Sequence, residues 1–430
     1  MELKKLEAEM QAEEQKKRQE VINNAKKEEK KIHKQVYSIK TVHDCFKKWL
    51  FIKDIKRVDV MLAVALTRKL KGTKLWLIFV GLSGDMKSEQ LKTLDDEEIA
   101  YYITKFTPRT LVSGFHKKIK VGKEYKTLNL DLAPKLNNRI LLVPEMAQLL
   151  TLHQNIKAEI WSQFRDLYDG YASLNTGTGV ETKYTDLNVT FLGGSTPAID
   201  HQILIHQSLG TRELLYRTNA SEKNCATYVD KILSNEKAEE QMRKELKNAV
   251  LGFLRAHEYN PKVKITKRVK DEIVKNAEFL SYMRASALSD SYTGELLGDV
   301  HKEKISRTLK QFKRLFIALK SLDEQYSTEE AIEVIKHITE SSADQIRLKL
   351  LDYLIEDDSN NYSISKIASA LRLGKKTIVR QLFILWNLGL IERESMKDSE
   401  SGKGYWIWKL NKNHEMVLWK KGVSYDELKR

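Results

Sequence analysis

"KLWLIFVGLSGDMKSEQLKTL", residues 74–94, decides how the rest of the chain is read. It opens with an uninterrupted apolar run ending at Val80, the pattern of a strand buried on both faces of a parallel sheet. The run breaks at Gly81, and a polar, helix-favouring stretch begins at Lys87. A phosphate-cradling loop reads Gly, four residues, Gly, Lys, then Ser or Thr, between a strand and a helix. Gly81, Lys87 and Ser88 stand at that spacing in that context, with Gly84 inside the loop and Met86 in place of the second glycine. Backbone at that point passes close to phosphate. A residue with a Cβ therefore needs an allowed φ and a side chain turned away.

In such a loop the backbone amides wrap a β-phosphate. The lysine pairs with β- and γ-oxygens, and the hydroxyl binds Mg²⁺. The candidate cofactor-binding residues are thus Gly81, Ser83, Gly84, Asp85, Met86, Lys87 and Ser88, with ATP and Mg²⁺ as the expected ligands. Downstream, "ILLVPE" (140–145) puts Glu145 at the end of a second buried strand, where a neighbouring parallel strand can deliver a carboxylate to Mg²⁺ or to the attacking water. An exposed turn residue is the competing reading. Pro144 precedes it, so only one acid is present. Ser88 and Glu145 are the candidate metal ligands, and if Glu145 polarises water the ion relies on Ser88 and solvent. "NVTFLGGSTP" (188–197) ends in Ser195 and Thr196, placed to position water beside a γ-phosphate or simply to make a turn. In "LGTRELLYR" (209–217), Arg212 just precedes an apolar strand and suits an arginine reaching a neighbouring subunit's γ-phosphate. Arg217 and Arg307 compete for that role or for a second arginine within the subunit.

Composition narrows the class of partner. The 430 residues allow two or three domains, at roughly 150 residues each. A net charge of +15 and a pI near 9.3 favour a polyanion, nucleic acid before an acidic membrane surface. Cys45 and Cys225 are the only cysteines. They exclude a disulfide framework or zinc ribbon and suit a reducing cytoplasm. No apolar run approaches the roughly 18 residues of a membrane span, and the charged start is unlike a signal peptide. Four segments are expected. They are a charged amino-terminal helix (1–36), an α/β core (37–219), a charged helical region (220–344), and three helices with a terminal hairpin, a winged helix-turn-helix (345–430).

Two stretches inside the core read as basic hairpins. The first (111–132) carries Lys117, Lys118, Lys120 and Lys123; the second (174–191) carries Lys183 beside Tyr184. In a ring of subunits such hairpins could grip a nucleic-acid backbone; a solvated basic turn is the alternative. In the last segment Lys375, Lys376, Thr377 and Arg380 open the third helix, the end that enters the major groove in helix-turn-helix proteins. Lys403 and Tyr405 fall on the wing, while Leu382, Leu385 and Trp386 fit a core face. Winged helices also serve as protein-docking modules.

The ordered series "GLSGDMKS", "ILLVPE", "FLGGSTP", "LGTRELLYR", then "ISRTLKQFKRL" and a winged helix, resembles the AAA+ ATPases over residues 40–425. It is most similar to the minichromosome-maintenance helicase branch and related ATPases of phages, plasmids and archaeal mobile elements. The resemblance implies an α/β fold: a P-loop AAA+ domain with a parallel sheet, a helical lid and a carboxy-terminal winged helix-turn-helix. It implies that Gly81, Lys87 and Ser88 are Walker A, Glu145 Walker B, Thr196 sensor 1, Arg212 the trans finger and Arg307 the sensor-2 arginine. The chain departs from the family at Met86, in lacking an Asp before Glu145, in Ser-Thr where helicases carry Asn, and in showing no amino-terminal DNA-binding barrel. The expected activity is that of a DNA-acting ATPase forming a homo-oligomer of the hexameric-ring kind, as a replicative helicase or initiator of a mobile element. The alternatives are a DNA-binding regulator that uses nucleotide as a switch without motor activity, and an ATPase that loads another helicase.

Overall fold

The computed structural model describes residues 38–121, 124–175, 181–206, 210–218, 238–290, 292–357, 362–397 and 404–423; for 116–121, 124–129 and 203–206 it describes backbone alone. The expected helix at 1–36, and Lys123 and Lys403 at the hairpin tips, lie outside the described residues. Helices α1 (Ile39–Trp49) and α2 (Lys56–Leu66) precede strand β1 (Trp76–Val80). Helix α3 (Lys87–Lys92) follows the glycine loop, then β2 (Ala100–Tyr102), the hairpin β3 (His116–Val121) and β4 (Glu124–Asn129), and β5 (Arg139–Val143). Helices α4 (Ala147–Leu150) and α5 (Gln154–Asp169) lead to the hairpin β6 (Ala172–Asn175) and β7 (Glu181–Tyr184). Strand β8 (Val189–Ser195), α6 (Ile199–His206) and β9 (Leu214–Arg217) complete this part.

The fold is α/β. β2, β5, β8, β1 and β9 form one parallel five-stranded sheet in that order. β1 shows why its sequence is an unbroken apolar run. Leu77 and Phe79 point into one core, with α1, α2 and the later helices, while Trp76, Ile78 and Val80 point into the other, with α5. A strand covered on both faces has no polar side to display. The sheet edge at β9 is closed by helix α10 (Thr328–Ser342) rather than by a further strand. The Leu215 and Arg217 amides donate to the Ser342 and Ser341 hydroxyls at 2.8 and 3.0 Å, which satisfies groups an edge strand would leave open.

The expectation of an all-helical 220–344 is met only in part over the described residues: four helices form, and the stretch between the second and the third does not. α7 (Glu239–Ala256), α8 (Lys267–Met283), α9 (Ser306–Lys320) and α10 pack onto the α1–α2 side of the sheet. The segment between α8 and α9 is not helical. It forms a ladder of short bridges, Ser286 with His301 and Ser289 with Leu296. The last segment is a winged helix-turn-helix: α11 (Gln345–Glu356), α12 (Ile364–Leu371), α13 (Lys375–Asn387), then β10 (Ile391–Lys397) paired antiparallel with β11 (Gly404–Leu410). A short helix, α14 (Glu415–Lys420), follows, with Trp419 against Phe279 of α8. Buried Arg347 ties this module to α8, donating to the Met283 and Tyr282 carbonyls at 2.8 and 3.0 Å, and it also donates to Gln381 of α13 at 3.0 Å. Among the described residues no helix is long and apolar enough to cross a membrane.

Candidate functional site

Strand order assembles one site from three distant sequence segments. β8 lies between β1 and β5, so the carboxyl ends of all three stand side by side. The loop after β1, Glu145 after β5, and Ser195 and Thr196 at the end of β8 line a cavity of about 400 Å³. Glu145 therefore sits two strands from the glycine loop, and the immediate neighbour of β1 is the strand ending in Ser195. Crevices outside the carboxyl ends of parallel strands are where such sheets bind ligands. Thr196 is half-buried there and Glu145 exposed.

The glycines of this region have steric causes. A Cβ on Gly81 would fall 1.9 Å from the Thr218 hydroxyl. One on Gly194 would fall 2.3 Å from the Pro144 carbonyl, so the Gly193–Gly194 pair is what lets the β5 end cross close to β8. Gly84, at φ +82°, has open space around it. Met86 takes φ 55°, ψ 13°, the left-handed conformation a glycine would adopt freely. Its side chain is half-buried against the core shared by α1 and α2, which meets the steric condition set by the sequence.

Lys87 is buried, with Nζ donating to the Leu82 and Gly81 carbonyls at 2.6 and 3.0 Å. Burial pushes its ammonium pKa down; Asp85 opposes the shift and Arg57 adds to it. Ser88 Oγ donates to the Pro144 carbonyl at 3.4 Å, linking the loop to the Glu145 turn. Three residues that the sequence reading passed over hold the loop from behind. Arg57 of α2 donates through Nη1 to the Asp85 carboxylate at 3.2 Å and through Nη2 to the Asp85 carbonyl at 2.9 Å. Its Nε donates to Gln90 at 2.5 Å, and Gln90 returns a bond to the Arg57 carbonyl at 3.1 Å. The other Asp85 oxygen accepts from Thr218 at the end of β9. Asp85 thus braces the loop, with its carboxylate turned to the protein. The available signal for Arg57 was its place, with Lys56 and Asp59, at the start of a helix whose remaining residues are apolar.

ATP with Mg²⁺ fits this donor set. The loop offers an open Gly84, a lysine held only by carbonyls and a hydroxyl, and Mg²⁺ ordinarily keeps several waters while taking one or two carboxylates plus phosphate oxygens. Among the described residues no cluster of three His, Cys, Asp or Glu side chains forms a metal cage.

The arginines separate into two places. Val80 pairs with Arg217, so Arg217 lies at the loop end of the sheet. It is engaged within the chain, with Nη2 and Nη1 on Asp200 at 2.5 and 3.2 Å and Nε on the Ser341 carbonyl at 3.0 Å. Arg212 stands before Leu214, which pairs with Leu77, and so lies at the opposite end, on the order of 15 Å away at ~3.3 Å per residue. There it bonds Asp169 at 3.0 Å and the Gly210 carbonyl at 2.9 Å, while Arg307 donates to the Thr211 carbonyl at 3.0 Å. Arg212 and Arg307 are thus neighbours, and both stand away from the cavity.

Both basic hairpins form. β3 pairs with β4 and β6 with β7, with Lys117, Lys118 and Lys120 on β3 and exposed Lys183 on β7. Tyr184 donates to buried Asp131 at 2.8 Å, and the same carboxylate accepts from the Ser113 amide and hydroxyl at 2.8 and 2.7 Å. Asp131 thus ties the bases of the two hairpins together. In the winged helix Lys375 and Lys376 are exposed, Thr377 and Arg380 half-buried, and no side chain caps the start of α13. Leu382 and Leu385 are core as expected, but Trp386 is only half-buried and lies against Arg393 of the wing.

Comparison with known proteins adds a local family match and distant structural similarities, two of which follow. Residues 344–393 match the family described as bacterial regulatory protein, arsR family, a helix-turn-helix family. Among curated proteins none matches the chain. A full-length MCM homologue from Methanopyrus kandleri is similar at TM-score 0.37 and 15% identity over 66% of this chain, which spans 55% of that protein. The apo A form of the NrS-1 C-terminal region is similar at TM-score 0.25 and 14% identity, over 87% of this chain and 77% of that one. At these TM-scores neither assigns an activity to this chain; the matched family covers its helix-turn-helix alone.

Proposed function

We propose that this chain is an AAA+-type ATPase that acts on DNA, binding ATP with Mg²⁺ at the ends of β1, β5 and β8. One observation carries the reading. The sheet brings a Gly81-to-Ser88 loop of phosphate-cradling spacing, a carboxylate at Glu145 and a polar tip at Thr196 around a single cavity. Lys87 would exchange its two carbonyl partners for phosphate oxygens, and Ser88 and Glu145 would take Mg²⁺ and the attacking water. Arg212 and Arg307 lie too far along the sheet to reach that cavity within one chain, so their role is on a neighbouring subunit's nucleotide in a homo-oligomer. In the proposed division of the chain, residues 37–219 bind nucleotide, 220–344 cover it as a lid, and 345–430 engage DNA. Exposed Lys375 and Lys376 and the uncapped amides of α13 are suited to a phosphate backbone.

A replicative helicase or initiator is the expected form of this activity. Pro144, which leaves Glu145 without a second acid beside it, favours a second reading: nucleotide as a switch on DNA affinity, without turnover. Steady-state ATP hydrolysis with and without single-stranded DNA, on the chain and on its Lys87→Ala and Arg212→Ala variants, tests both. DNA-stimulated turnover lost in both variants supports the motor. Tight nucleotide binding that alters DNA affinity without turnover supports the switch. No nucleotide binding at all sinks both.

A further inference from the structure

The carboxy-terminal hairpin carries an aromatic residue that its core does not use. In the β10–β11 register, Arg393, Ser395 and Lys397 share one face with Trp408 and Trp406. At the base of that face Trp408 is buried, edge-on to Phe383 of α13. Two residues further out, Trp406 is 44% exposed. The Arg393 guanidinium lies 4.4 Å from the Trp406 ring centre and 3.8 Å from that of Trp386 on α13. A cation between two indoles fixes the planes of both rings, and it leaves Trp406 as the outer member of the stack.

The chemistry around this ring selects its occupant. Lys397 is exposed on the same face of the hairpin, while Lys375 and Lys376 stand at the other end of α13 from Trp386, with Lys376 over the Tyr292 ring. The two carboxylates of the strand, Glu392 and Glu394, are both on the other face, Glu394 being taken by Lys409 at 2.6 Å. An apolar protein surface laid here would strip water from Arg393 and Lys397 without pairing them, which is costly. A nucleotide supplies both complements at once, a phosphate for the cations and a flat ring for the indole. Bases inside a duplex offer only their edges to a protein. A single base free to leave its neighbours and lie on the indole is present only where it is unpaired.

We propose that Trp406, held by Arg393 and Trp386, stacks an unpaired DNA base, so that the winged helix engages a duplex beside a single-stranded end. The proposal rests on the DNA-binding reading of this module given above. It is tested on the full chain with two DNAs of the same duplex sequence, one blunt and one forked, the fork bearing 2-aminopurine at its first unpaired position. Binding is read by anisotropy of a distal dye and stacking by quenching of the aminopurine. The fork is expected to bind roughly tenfold more tightly than the blunt duplex, with quenched aminopurine. Trp406→Ala should lose both the preference and the quenching while binding blunt duplex as before; Trp406→Phe should keep both.

Equal affinity for the two DNAs, or quenching that persists in Trp406→Ala, overturns the stack and leaves the DNA reading standing. Trp406→Ala that weakens fork and duplex alike, with no Phe rescue, also overturns it and marks the residue as part of the wing's structure. Failure of the chain to bind either DNA removes the DNA reading itself and the stack with it, and reassigns the exposed ring to a protein contact.

Discussion

The two ends of the parallel sheet are built on opposite principles. At the carboxyl ends of β1, β5 and β8, glycines bring the backbone close, Gly84 and Met86 hold positive φ, and an open cavity remains. At the amino end of β9, Arg212, Arg307, Asp169 and Glu303 fill the space with bonds inside the chain; Glu303 accepts from the Thr211 amide at 2.8 Å. One end leaves a cavity open, which on the proposed reading takes the nucleotide. The other already engages its arginines within the chain, and on that reading they reach a neighbouring subunit only by giving up those bonds. A loop that binds in cis needs room, whereas an arginine that acts in trans needs a resting partner, because a long cationic side chain left unheld loses its aim.

The sharpest break of this contrast is Lys87→Ala. Removing the ammonium at the open end should abolish ATP turnover, a fall of roughly 10³-fold or more, while leaving the melting temperature close to the parent. Turnover that survives would move the chemistry elsewhere. At the closed end, Arg212→Ala should lower turnover by roughly 10³-fold, with the nucleotide affinity of the isolated subunit unchanged. Asp169→Asn separates the two roles of Arg212. If the arginine works only as an internal ion pair, the Asn variant reproduces the loss; if it works in trans, turnover persists. Mixing Lys87→Ala and Arg212→Ala subunits adds a second check, because a shared site formed by the two intact halves recovers activity.

How much of this was legible in the sequence differs between the two ends for a physical reason. The loop from Gly81 to Ser88 is local, and its strand–loop–helix context is written in consecutive residues. The ends of "ILLV" and "FLGGS" were legible as strand tips, because buried parallel strands appear as apolar runs. That β8 lies between β1 and β5 was not legible, since strand order depends on crossovers. The Gly193–Gly194 pair was the one hint of a close approach. The network of Arg57, Thr218 and Gln90 is not marked by any local pattern, because Asp85 meets Arg57 of α2 and Thr218, the latter 133 residues further along the chain, while Gln90 of α3 joins through Arg57. Trp386 was read as core because helical spacing shows only which face a residue takes. Its partner Arg393 reaches it only when the wing folds back over α13.

Arg57→Ala tests the bracing at the open end. It leaves the Asp85 carboxylate with Thr218 alone and the Gln90 amide oxygen without its donor, and should cost about 3–5 kcal/mol of stability in a thermal or denaturant melt. Arg57→Lys should recover little, because one ammonium cannot serve Asp85 and Gln90 together. A stability loss below about 1 kcal/mol would show that the loop keeps its shape without this network.

The smallest expected effect is the most diagnostic of the loop itself. Met86 holds a left-handed backbone conformation that costs a residue with a Cβ roughly 1–2 kcal/mol. Met86→Gly removes that strain, but it gives up the half-buried packing of the thioether and frees the unfolded chain by roughly 0.5–1 kcal/mol. These terms oppose one another, so overall stability should stay within about 1 kcal/mol of the parent. Nucleotide affinity should nevertheless rise, because phosphate is asked to hold a backbone that no longer resists the left-handed turn. The measurement is a titration of labelled ATP against both proteins, with melts run in parallel. Tighter binding at near-constant stability places the ligand against this peptide. Weaker binding would mean that the Met86 side chain contacts the nucleotide, and that the substitution for glycine is a feature of the site rather than a tolerated strain.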